Sequence, residues 1–181
     1  MGKRLILVVT ATLCCLSASA QRTMSGQSSL CLQSSWTGSS FGAEAFYSQY
    51  TLGGFWETGL SAKQYKKGTS TGVDINSLNI AASGNFLFRL VGTRSRSVNL
   101  YGGAGAFLGY EAIDPMHKMP STIQTNLKNG YFLYGLQAKL VAEFFISKSF
   151  AFTLNGCVPI NFSSPMGWFH YDIGLGMKVM L

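Results

Sequence analysis

From Tyr131 to Phe144 the chain alternates two kinds of position without a break. Phe132, Tyr134, Leu136, Ala138, Leu140, Ala142 and Phe144 hold the even places, with no charged or amide side chain among them. Tyr131, Leu133, Gly135, Gln137, Lys139, Val141 and Glu143 hold the odd places. An extended strand sends alternate side chains to opposite faces, so one face is wholly apolar and the other mixed polar. A helix would smear both sets around its circumference. The run is more than twice the length of a usual soluble strand of about five or six residues. It fits a strand tilted through a bilayer, with its apolar face toward lipid and its polar face toward a lumen.

The same pattern predicts seven further strands, over Ser28 to Ser35, Ala45 to Leu52, Phe55 to Lys66, Ile75 to Leu90, Val98 to Ala112, Phe150 to Phe162 and Trp168 to Leu181. The first is the least regular. Trp36 to Glu44, rich in Gly and Ser, reads as a loop, and Gly53-Gly54 as a hairpin turn. Lys67 to Asp74 and Ile113 to Asn129 read as further loops, Val91 to Ser97 and Ile146 to Ser149 as turns, and Ser163 to Gly167 as a short loop. Long and short connections broadly alternate, as expected when one rim faces the cell exterior and the other the periplasm. Outward aromatics sort into two sets. Tyr110, Phe132, Tyr134, Phe162, Phe169 and Tyr171 belong to the outer rim, and Trp56, Phe86, Phe88, Phe144, Phe150 and Phe152 to the periplasmic rim, as two aromatic girdles. The expected fold is all-β: one domain, residues 21–181, forming an eight-stranded antiparallel up-and-down outer-membrane barrel.

Composition supports a membrane setting. Hydrophobic residues make up 47% of the 181 and charged residues 12%, about half the charged share of an ordinary soluble domain. After residue 20 no apolar run approaches the ~20 residues of a spanning helix, which leaves a closed barrel as the way to cross lipid with every backbone group paired. Residues 1–20 read as a cleaved signal peptide: Lys3 and Arg4, an apolar core from Leu5 to Leu16, and Ala18-Ser19-Ala20 before Gln21. Leu13, ahead of Cys14, argues against a lipoprotein site. Cleavage removes Cys14, Cys15 and two positive charges, so the formal charge of +7 becomes +5.

Cys31 and Cys157 remain. They fall on the first and seventh strands, separated by the eighth in a closed barrel. Two strand spacings of ~4.8 Å place them beyond disulfide reach, so both are expected to be free, lumen-facing thiols. The remaining basic residues are spread over turns, loops and lumen positions rather than forming a stripe, so direct nucleic-acid binding is not expected. Contact with membrane lipid and lipopolysaccharide is.

Inward parity collects Glu57, Glu111, Glu143 and Asp172 with Lys63, Arg89, Lys139 and Lys178. An eight-stranded barrel is only wide enough to be filled by side chains, so these groups are expected to pair as a structural charge network that closes the lumen. Glu143 and Asp172 are at different depths and frame no substrate pocket as an acid/base couple. His170 with Ser163 and Ser164 lacks oxyanion donors and a third member. His117 stands in a loop, and no spacing resembles a metal site. No enzyme activity, cofactor or metal is expected.

Three segments carry a resemblance. Ala20-Gln21-Arg22, the stretch Tyr101-Gly102-Gly103-Ala104-Gly105-Ala106-Phe107-Leu108-Gly109-Tyr110-Glu111, and Phe144-Phe145-Ile146-Ser147-Lys148-Ser149-Phe150 are similar to the conjugative-transposon TraO proteins of Bacteroidetes, in order and spacing over nearly all of the mature chain. The resemblance implies an outer-membrane, non-enzymatic structural or accessory component of a mating apparatus, with other apparatus proteins as partners. It implies no catalytic residues. Two alternatives remain: a small outer-membrane barrel for adhesion or surface protection, and a soluble lipocalin-like binding barrel.

Overall fold

The computed structural model describes residues 25–38, 40–68, 74–93, 97–113, 130–163 and 170–181, without the side chains at 66–68, 74–76 and 113. The signal segment, Arg94 and Arg96, nearly all of the Ile113 to Asn129 connection with His117, and Ser164, Trp168 and Phe169 lie outside the described residues. The strands are β1 (Ser28–Thr37), β2 (Ser40–Tyr50), β3 (Gly54–Gly68), β4 (Asp74–Gly92), β5 (Val98–Ile113), β6 (Gly130–Phe145), β7 (Phe150–Asn161) and β8 (Asp172–Met180). Each pairs antiparallel with its sequence neighbours, and β1 closes onto β8 through a register running from Ser29↔Met180 to Trp36↔Ile173. Closure leaves no sheet edge along the wall, the condition for backbone to sit in hydrocarbon.

The alternation read from the sequence becomes an inside-out barrel. Outward side chains are apolar and exposed, for example Leu32 at 69%, Leu60 at 65% and Leu175 at 65%. Inward side chains are often polar and sealed: Ser48 and Glu143 at 0%, Lys178 at 1%. A soluble lipocalin-like barrel needs the reverse distribution. The aromatic sets sit where their registers bring them together. Tyr110 lies opposite Phe132 and Trp56 opposite Phe86, with ring centroids 4.6 Å apart in the second pair.

Two expectations need correction. Trp36 to Glu44 is not a loop: β1 runs through Thr37 and β2 starts at Ser40, with Gly38 at φ +52° just after β1. Small polar residues signal loops in water, but here Ser35, Ser40 and Glu44 point into the lumen while Trp36, Phe41 and Ala43 face out. That short reversal also breaks the alternation of loop lengths at this hairpin. The last strand starts at Asp172 rather than Trp168, with His170 and Tyr171 described but outside it.

Glycine lets bulky inner side chains fit a narrow bore. At Gly135 an added Cβ would lie 2.7 Å from the Phe107 ring, and at Gly105 it would strike the Asn85 side chain and the Gly84 carbonyl. In this part of the barrel β5 and β6 carry small inward residues opposite large ones.

Candidate functional site: the lumen network

Inward side chains form tiers along the barrel axis. The end that holds Ser28 and Met180 is closed by Tyr50, Phe55, Leu87, Tyr101, Val141, Phe145, Ala151 and Met180, contributed by seven of the strands. Tyr50, Phe55 and Tyr101 pack ring to ring, with centroids 4.8 to 6.5 Å apart, the tilted and edge-on range that aromatic pairs prefer. Against this apolar layer lies an ion pair. Lys178 Nζ sits 2.5 Å from Glu143 Oε1 and 4.5 Å from the Phe55 ring centroid. The Tyr50 hydroxyl donates to the same carboxylate oxygen at 2.7 Å.

The middle tier joins strands on opposite sides of the bore. Lys139 Nζ on β6 meets Glu57 Oε1 on β3 at 2.5 Å and lies 3.7 Å from the Phe46 ring centroid. Asn85 Nδ2 donates to the same Glu57 oxygen at 3.3 Å, and Gln137 Nε2 donates to Asn85 Oδ1 at 2.6 Å. Cys157 Sγ reaches Gln137 Oε1 at 3.7 Å, and Cys31 Sγ lies 3.6 Å from Thr153 Oγ1. Both cysteines are free and buried.

Nearest the far end, Lys63 bridges two carboxylates, 2.6 Å from Glu44 Oε1 and 2.6 Å from Asp172 Oδ2. Thr37 donates to Asp172, Gln33 Nε2 donates to Glu44 Oε2 at 2.5 Å, and Asn155 donates to Gln33. Glu111 accepts from Ser77 Oγ at 2.9 Å. Between these groups lies a hollow of about 40 Å³ lined by Glu44, Lys63, Asn79, Gln137, Lys139 and Cys157, space for about one water.

Seven of the eight residues expected in the network lie in this interior: Glu57, Lys63, Glu111, Lys139, Glu143, Asp172 and Lys178. Arg89 does not. It has inward parity but sits at a β-bulge between Arg89 and Val91 near the terminal rim, and its side chain is exposed. Glu44, hidden in the misread loop, takes a place that no expectation gave it. Among the described residues the lumen charges are therefore five carboxylates and three ammonium groups, not four and four. The period-two run Ser40, Gly42, Glu44, Phe46, Ser48, Tyr50 was the signal that could have found Glu44.

Glu143 and Asp172 are each held by a different lysine at different depths. Ser163 donates to the Phe132 carbonyl at 2.7 Å, while the His170 ring packs 5.3 Å from the Tyr65 ring. Among the described residues no group of three or more His, Cys, Asp or Glu side chains is placed to hold a metal.

The same barrel architecture occurs in solved structures of low sequence similarity. The crystal structure of Ail, the attachment invasion locus protein of Yersinia pestis, is 14% identical, with a TM-score of 0.53 over 87% of this chain and 100% of that one. The N-terminal β-barrel domain of Pseudomonas aeruginosa OprF is 13% identical, with a TM-score of 0.48 over 86% and 98%. Neisserial surface protein A is 11% identical, with a TM-score of 0.43 over 86% and 94%. A sequence search of curated proteins finds no match. The model of the family described as conjugative transposon protein TraO matches residues 19–181, nearly the whole chain, and the protein belongs to that family.

Proposed function

We propose that the protein is a non-enzymatic, structural or accessory outer-membrane component of a conjugative DNA-transfer apparatus. One observation carries the reading: a TraO family chain whose outer wall is apolar and whose bore is filled by paired side chains. Such a wall suits lipid and lipopolysaccharide, and export through a cleaved signal peptide at residues 1–20 would deliver it there. A filled bore suits a rigid scaffold better than a conduit, so transferred DNA would pass elsewhere. With the end that holds Ser28 and Leu181 toward the periplasm, the loops expected within 67–74 and 113–129 would face outward. Other apparatus proteins would be its partners, with no direct contact to nucleic acid.

Deleting the gene from a donor and measuring transfer frequency tests the reading. Transfer should fall and return with the wild-type gene, and the protein should fractionate with outer membranes. Unchanged transfer would overturn it. A second reading, adhesion or surface protection, draws on the match to the full length of Ail, whose name refers to attachment and invasion. It predicts unchanged transfer together with reduced attachment to surfaces.

A further inference from the structure

The terminal end of the barrel carries a sheet edge that closure does not remove. Pairing between β3 and β4 ends at Gly54↔Phe88, with one further bond from Arg89 N to the Gly53 carbonyl at 2.8 Å. β4 nevertheless continues to Gly92, joined there to β5 through Val91↔Leu100 and Gly92↔Asn99. Among the described residues, Leu90 to Gly92 therefore have no register partner on the β3 side. Around this edge stand exposed apolar side chains, Leu52 at 98% and Val91 at 66%. Exposed Arg89 and Lys148 stand at the same end.

Exposed side-chain charge at this end has one sign. The chain's seven acidic residues are Glu44, Glu57, Asp74, Glu111, Asp114, Glu143 and Asp172. Five are buried in the lumen, Asp74 begins β4 at the far end, and Asp114 lies outside the described residues, next in sequence to Ile113 at the far end of β5. The turn residues 51–53, 93–97 and 146–149 contain no acid, and the connection between Thr93 and Ser97 adds two arginines by sequence.

We infer that this rim is a docking surface for an extended, acidic segment of another periplasmic protein, added as a strand along Leu90 to Gly92 of β4. The inference rests on the outer-membrane orientation proposed above. An added strand satisfies backbone groups left without a neighbour, its carboxylates would face Arg89, and its apolar side chains would cover Leu52 and Val91. A phosphate-rich surface, whether lipid or nucleic acid, would answer the charge but not the strand edge.

The test uses the full mature barrel in nanodiscs of zwitterionic lipid and a fluorescent peptide of alternating Asp and Val, read by anisotropy. The peptide should bind, and a lysine-for-aspartate version should not. Arg89→Glu should weaken binding about tenfold, with folding checked by heat-modifiable gel mobility. Equal binding by a backbone N-methylated peptide would overturn strand addition. So would absence of peptide binding together with binding of phosphatidylglycerol vesicles or of a single-stranded oligonucleotide that Arg89→Glu abolishes. Conjugation separates the two proposals. If deletion stops transfer but a folded Arg89→Glu, Leu52→Asp variant transfers normally, the docking surface fails and the scaffold reading stands. If deletion leaves transfer unchanged while the peptide still binds, the scaffold reading fails.

Discussion

Replacing Lys178 with methionine probes the terminal tier where its energetics are most exposed to measurement. Lys178 and Glu143 have side-chain exposures of 1% and 0%, and their charged atoms are 2.5 Å apart. Glu143 Oε2 has no hydrogen-bond partner among the described residues, so once the lysine is gone the Tyr50 hydroxyl is the remaining donor to this carboxylate. Removing one member of a buried pair leaves an uncompensated charge, which costs about 3–5 kcal/mol. Replacing both with apolar residues of similar size removes the orphan and is often neutral, or stabilising by about 1–4 kcal/mol. The expected order of stability is therefore wild type close to the Lys178→Met, Glu143→Leu double variant, with Lys178→Met well below both. Reversible urea unfolding in lipid vesicles, followed by tryptophan fluorescence, supplies the free energies, and the double-mutant cycle isolates the coupling. A single variant within about 1 kcal/mol of wild type, or a double variant whose loss equals the sum of the two singles, would refute the reasoning, because neither result is compatible with a desolvated charge left unpaired.

Two further outcomes follow from the wall and the thiols. Leu60→Lys places a charge on the lipid face and should destabilise the barrel by about 2–4 kcal/mol in a bilayer; a much smaller loss in the same unfolding assay would mean that Leu60 does not face hydrocarbon. Cys31 and Cys157 should be inert to a maleimide in the folded protein and both react after unfolding, with no mobility change on reduction; rapid labelling of the folded barrel would contradict their burial.

The strand assignments were legible because solvent imposes them. Hydrocarbon outside and a crowded polar bore inside force a period of two over runs long enough to cross a membrane, and that period is written in β4 to β7 without ambiguity. The pattern lost its voice at Trp36 to Glu44, where small inward residues imitate a loop and conceal Glu44. Arg89 had the correct parity, but parity carries no depth, and the bulge after it places the side chain at the rim.

What the order of residues determined by itself was the class of environment on each face, and with it the barrel and the inventory of charged groups available inside. Which acid meets which base was decided only by closure and stagger. Lys63 on β3 reaches Asp172 on β8, and Lys139 on β6 reaches Glu57 on β3, pairs far apart along the chain. Alternation is a local property of each strand, whereas register around a closed sheet is a property of all eight together.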